Sequence, residues 1–79
     1  MSERVFELEV GQAPGALERV FGVVRRRRLG LQRFSVVPAD ATAWLVRITA
    51  GASEAEAALA LRQFQALIDV RSARIGAAG

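Results

Sequence analysis

A chain of 79 residues with no cysteine and no histidine has room for one small domain, and lacks the thiols and imidazoles of disulfides, structural zinc sites and most nucleophile–base pairs. Its composition, 52% apolar and 24% charged with a mean hydropathy of +0.24, is that of a folded chain. A domain this short buries only about 60% of its unfolded surface, so oligomerisation is the available reinforcement. The isoelectric point near 11.3 comes from 11 arginines with no lysine or histidine to titrate before them; the net charge is only +3, and nucleic acid is not the expected partner.

No apolar run reaches the roughly 18–20 residues of a membrane span, and Met-Ser-Glu-Arg does not open like a secretory signal. The expected location is cytoplasmic.

From Arg4 to Val10, Phe6, Leu8 and Val10 alternate with Glu7 and Glu9, the period-two pattern of a strand with one wet face, on which Val5 is an apolar exception. Gly11-Gln12-Ala13-Pro14-Gly15 then breaks the pattern as a strand-to-helix turn. The helix that follows places Leu17, Val20, Phe21 and Val24 on one stripe, with Glu18 near its start and Arg25 to Arg28 at its end, matching the helix dipole. Gly30 reads as the stop.

Leu31, Phe34, Val36 and Val37 form a second strand whose spacing departs from two, which a bulge near Gln32 or Arg33 reconciles. A turn over Pro38-Ala39-Asp40-Ala41-Thr42 leads to a third strand, with Trp44, Val46 and Ile48 facing one way and Leu45, Arg47 and Thr49 the other. The short connection predicts an antiparallel hairpin, with Trp44 in the core. Ser53 and Glu56 have capping-box spacing at the start of a second helix, whose predicted inner face is Ala57, Ala60, Leu61, Phe64, Leu67 and Ile68. A last strand over 69–75 precedes a frayed Gly76-Ala77-Ala78-Gly79.

This order is an α+β, ferredoxin-like βαββαβ unit: a four-stranded antiparallel sheet with two helices on one face and the second and fourth strands at its edges. One domain over 1–79, with its core at about 4–75, is expected.

The fold hosts many functions, so the side chains must decide. The first loop has no cysteine pair for a soft metal. The predicted open face, with Glu7 and Glu9 beside Leu45, Arg47 and Thr49, lacks the aromatics of an RNA-binding sheet and offers acid where phosphate would sit. Two glutamates with no other titrating partner make a poor acid–base pair. The Arg25–Arg28 run reads as a solvated helix end. The glycine-rich loop reads equally as an anion cradle at a helix N-terminus and as a turn that simply needs glycine.

Order and local sequence together carry a family resemblance. Gly15-Ala16-Leu17-Glu18-Arg19-Val20 runs into an Arg-rich helix end, then Gly30-Leu31, Val36-Val37-Pro38 and, later, Leu67-Ile68-Asp69-Val70. This resembles the ACT domain, and within it the short, single-unit form of the acetolactate synthase small regulatory subunit, with its Gly-Ala-Leu-x-Arg-Val helix start and Leu-Val-Asp-Val entry to the last strand. The resemblance implies a non-catalytic chain that binds and activates the catalytic large subunit in branched-chain amino acid biosynthesis. Thiamine diphosphate, Mg and FAD would belong to that partner, and this chain would hold no cofactor. It further implies a homodimer through edge-strand pairing and a branched-chain amino acid effector, such as valine, at Gln12, Ala13, Gly15, Ala16, Gly30 and Leu31. Gln12 and Gly30 stand where effector-sensitive members carry Asn. A free-standing amino-acid-sensing ACT domain that regulates another enzyme is the alternative, ahead of a nucleic-acid-binding module.

Overall fold

The computed structural model describes residues 2–76. The elements are β1 (Ser2–Gly11), α1 (Ala16–Arg26), β2 (Gly30–Asp40), β3 (Ala43–Ala52), α2 (Glu54–Ala66) and β4 (Val70–Gly76). The sheet order is β2-β3-β1-β4, every pair antiparallel. The βαββαβ, ferredoxin-like expectation holds, with β2 and β4 at the edges.

Alternation in β1 sends Phe6, Leu8 and Val10 inward, where they meet Ile48, Val46 and Trp44 of β3 in register. Both helices cover this face with Val20 and Val23 from α1 and Ala57, Ala60 and Phe64 from α2, all buried. The two α2 alanines let the helix approach closely, and the Phe64 ring meets Phe6 edge-on at 5.3 Å between centroids. Ser53 and Glu56 form the expected capping box: Ser53 Oγ accepts from Glu56 N at 3.1 Å and Glu56 Oε1 from Ser53 N at 2.8 Å.

Several local expectations are corrected. The buried stripe of α1 is Ala16, Val20, Val23 and Val24, whereas Phe21 is 43% exposed and sits edge-on to Phe34 of β2 at 5.6 Å. Val23 takes the central inward position, and Phe21 lies on the flank that overhangs the edge strand. The helix stops before Gly30, which already pairs with Gly51. The stop is a Schellman motif: Leu29 N–H donates to Val24 O at 3.1 Å and Arg28 N–H to Arg25 O at 3.1 Å, with Arg28 in the left-handed region at φ 54°.

The register of β2 shifts between Leu31 and Arg33, so Gln32 is the expected bulge. Pro38, Ala39 and Asp40 belong to β2 rather than to a turn; Asp40 pairs with Ala43, and only Ala41 and Thr42 turn. Pro38 is tolerated because β2 is an edge, and a second register shift at Ala39 relieves the twist of a turn in which neither residue has a positive φ. Ile68, expected on α2, is 90% exposed: α2 ends at Ala66 and Leu67 is already extended. Trp44, expected in the core, is half-buried at the end of the sheet. Gly76 ends β4 opposite Val5; the remainder of the expected frayed end, 77–79, lies outside the described residues.

Candidate functional site

Gln12, Ala13 and Gly15 form the β1–α1 connection, and Ala16 opens the helix. Gly15 is the N-cap, with φ 77° and ψ 1°, and no side chain caps the helix there. Glycine suits the position for its left-handed backbone, and also because an added Cβ would lie 2.8 Å from Arg19 Nη1. The space over Gly15 is therefore occupied by a guanidinium.

That guanidinium closes the loop. Arg19 Nη2 donates to Pro14 O at 3.1 Å, Nε donates to Asp69 Oδ2 at 3.0 Å, and Nη2 pairs with the same Asp69 oxygen. Main-chain bonds hold the connection as well: Gly11 N–H donates to Asp69 O at 2.7 Å, Gln12 N–H to Thr42 O at 2.9 Å, Ala13 N–H to Gly11 O at 2.9 Å and Ala16 N–H to Ala13 O at 3.1 Å. Gln12 Nε2 donates to Ala43 O at 3.3 Å, so its carboxamide is directed to β3. Ala16 is buried and presents no accessible side chain.

Gly30 and Leu31 are elsewhere. Gly30 lies opposite Gly51 and Gly51 opposite Glu3, while Gly11 is at the other end of β1. The eight residue steps from Glu3 to Gly11 separate the two groups by about 27 Å at ~3.4 Å per residue. One copy of the chain does not bring the six residues together. Leu31 is exposed beside the β2 edge, where Leu17, Phe21 and Phe34 line a shallow apolar cavity of about 520 Å³.

Sequence reasoning passed over the polar tie at the loop end of the sheet. Arg71 of β4 donates through Nη1 and Nη2 to Thr42 Oγ1 at 3.2 Å, through Nη2 to Thr42 O at 3.3 Å, and pairs with Glu9 at 3.6 Å. Asp40 Oδ1 accepts from Thr42 N at 2.7 Å and from Thr42 Oγ1 at 2.9 Å; the backbone N–H and then the hydroxyl hold the Asp40 carboxyl below its ordinary value. Asp40 and Thr42 share one turn, a local Asx-type contact, whereas Arg71 reaches them from β4, 29 residues on, and no local pattern marks its arrival.

The open face of the sheet is less acidic than β1 alone implied. Arg74 Nη2 lies 2.8 Å from Glu7 Oε1, Arg47 Nε lies 4.0 Å from the other Glu7 oxygen, and Arg71 engages Glu9. β2 adds Arg33 and Ser35 to this face, opposite Thr49 and Arg47.

Two layers, a β2-β3-β1-β4 sheet and a glycine-opened first helix define a small ferredoxin-like module. The model of the ACT domain matches residues 12–73, and the chain belongs to the ACT domain family. Among solved structures, the ACT domain from the GTP pyrophosphokinase of Chlorobium tepidum matches at TM-score 0.81 and 7% identity, covering 94% of this chain and 96% of that one. The acetolactate synthase small subunit from Thermotoga maritima matches at TM-score 0.84 and 16% identity, covering 95% of this chain and 47% of that one. A formyltetrahydrofolate deformylase from Burkholderia mallei matches at TM-score 0.78 and 22% identity over 96% of this chain and 28% of that one. At these identities the likeness is one of fold. No curated protein sequence matches the chain.

Proposed function

We propose that this ACT domain is a non-catalytic regulatory subunit of acetolactate synthase, which binds the catalytic subunit and favours its active conformation. The observation that carries the reading joins its two family-like motifs in space. Arg19, from Gly15-Ala16-Leu17-Glu18-Arg19-Val20, clamps Asp69, from Leu67-Ile68-Asp69-Val70, and together they fix the first loop. The fold of the Thermotoga small subunit is consistent with this and adds no more than fold. Activation of this kind is a population shift, and requires tighter binding to the active conformation than to the inactive one.

A homodimer paired along β2 completes the reading. The edge offers unpaired main-chain groups and, beside them, the exposed apolar side chains of Phe21 and Leu31. An antiparallel pairing of two β2 strands sets the Gly30 end of one copy beside the Asp40 end of the other, which in each copy adjoins the Gln12 loop. Such a dimer brings the six candidate residues towards one interface, contributed by two chains.

The Gln12 carboxamide, directed to Ala43 O, and Gly30, without a side chain, are poor groups for holding an amino acid. The expected role is therefore support of the catalytic subunit rather than valine feedback. The test is the rate of acetolactate formation by the catalytic subunit from the same source, with and without this chain, at several valine concentrations. A rise that valine does not reverse is expected. Absence of any rise, with no co-purification, would refute it.

The second reading is an amino-acid-sensing ACT domain serving another enzyme. Its support is the family match over residues 12–73, which places the chain among ACT domains without fixing the enzyme it serves. Saturable binding of a free amino acid, without effect on acetolactate synthase, is its signature.

A further inference from the structure

On the face of the sheet away from the helices, β1, β3 and the bulged end of β2 enclose an open groove of about 490 Å³. Its floor is Val5, only 3% exposed although it lies on the uncovered face; its walls are Glu3, Arg33, Ser35, Arg47 and Thr49. The bulge at Gln32 sets the register so that Arg33 faces Thr49 and Ser35 faces Arg47, placing two guanidiniums diagonally across neighbouring strands.

The ion pairs of this face are unevenly spent. Glu7 is held by Arg74 at 2.8 Å, Glu9 is engaged by Arg71, and Arg47 reaches Glu7 only at 4.0 Å. Arg33 enters no ion pair among the described residues. Two arginines against the single carboxylate of Glu3 leave the groove with an excess positive charge. Like charges on adjacent strands repel, and an anion between them removes the repulsion while gaining charge-assisted hydrogen bonds. The Thr49 hydroxyl stands beside the guanidiniums as a further donor, and the Ser35 hydroxyl, which donates to Arg47 O at a long 3.5 Å, has only to rotate to add another.

We propose that Arg33 and Arg47, with Ser35 and Thr49, bind a phosphate dianion, free or as the monoester of a small molecule. Planar guanidiniums suit a tetrahedral oxyanion bidentately. The groove exceeds a bare phosphate and accommodates a short organic remainder over Val5 towards Glu3. No aromatic side chain lines it, which distinguishes it from a surface on which bases stack. It does not use the first loop or Gly30, so the site is independent of the function proposed above.

The test is amide chemical-shift titration of the full chain with inorganic phosphate and, separately, glycerol phosphate, at constant ionic strength. Saturable shifts centred on Arg33, Ser35, Arg47 and Thr49 are expected, weakened at least about tenfold in the Arg33→Gln/Arg47→Gln double variant. Both arginines are exposed, and the variant's own spectrum reports whether it folds. Glu3→Gln, which removes the opposing charge, is expected to tighten binding about two- to threefold. Tighter binding of glycerol phosphate, with added shifts at Val5, identifies the monoester as the ligand; equal binding identifies free phosphate. Shifts centred on Arg25–Arg28 or on the start of α1, shifts that persist in the double variant, or no saturation by about 20 mM would overturn the proposal.

Discussion

Arg28 occupies the left-handed position that closes α1, where a side chain costs roughly 1–2 kcal/mol and glycine is the usual occupant. Arg28→Gly is therefore expected to stabilise the fold by about 0.5–1 kcal/mol, part of the relief being offset by glycine's greater freedom in the unfolded chain. A rise in the urea midpoint checks it. Gly15 is the converse: Gly15→Ala introduces the left-handed penalty and a Cβ against Arg19, and a loss of about 1–2 kcal/mol in the same measurement is expected. Two exposed carboxylates contribute to the acid limb of stability. Backbone N–H and hydroxyl donors lower the Glu56 and Asp40 pKa values from 4.5 and 3.8, so each contributes fully above those unfolded values and loses its contribution as pH falls through the folded ones. Urea midpoints should fall on acidification below about pH 4.5, and less steeply in Glu56→Gln.

At the scale of elements, α2 depends on its cap and on one aromatic. Ser53→Ala removes the acceptor for Glu56 N–H and is expected to cost about 1 kcal/mol. Phe64→Ala opens a cavity against Phe6 and is expected to cost about 3–5 kcal/mol, read as a lowered thermal midpoint. These elements were legible because each carried a local signal: alternation in β1, cap spacing at Ser53 and Glu56, and broken spacing at the Gln32 bulge. The misplacements have local causes too. Periodicity marks Phe21 as apolar but does not say that Val23 points inward while Phe21 overhangs an edge strand. The apolar run through Ile68 hid the point at which Leu67 turns extended. Gly30 looked like a helix stop because left-handed closures favour glycine, whereas here Arg28 takes that conformation.

For the whole molecule, the sequence sufficed for the topology but not for the site. The first loop and the Gly30 end of β2 are consecutive in a list of motifs and lie at opposite ends of the sheet in space; only pairing of chains offers to reunite them. In the sequence Arg33 marks only the bulge of an edge strand, since its electrostatic setting depends on Arg71 and Arg74 meeting the neighbouring glutamates. Edge pairing predicts sedimentation as a dimer of about 17 kDa, twice 8.5 kDa, and a shift to monomer in a Phe21→Asp/Leu31→Asp variant that charges the apolar rim of β2. The most direct test of the regulatory reading is a titration of this chain into a fixed amount of the catalytic acetolactate synthase subunit, following the initial rate. A saturable rise that levels at a defined ratio of the two chains is expected; a rate that stays flat across the titration would refute the regulatory reading.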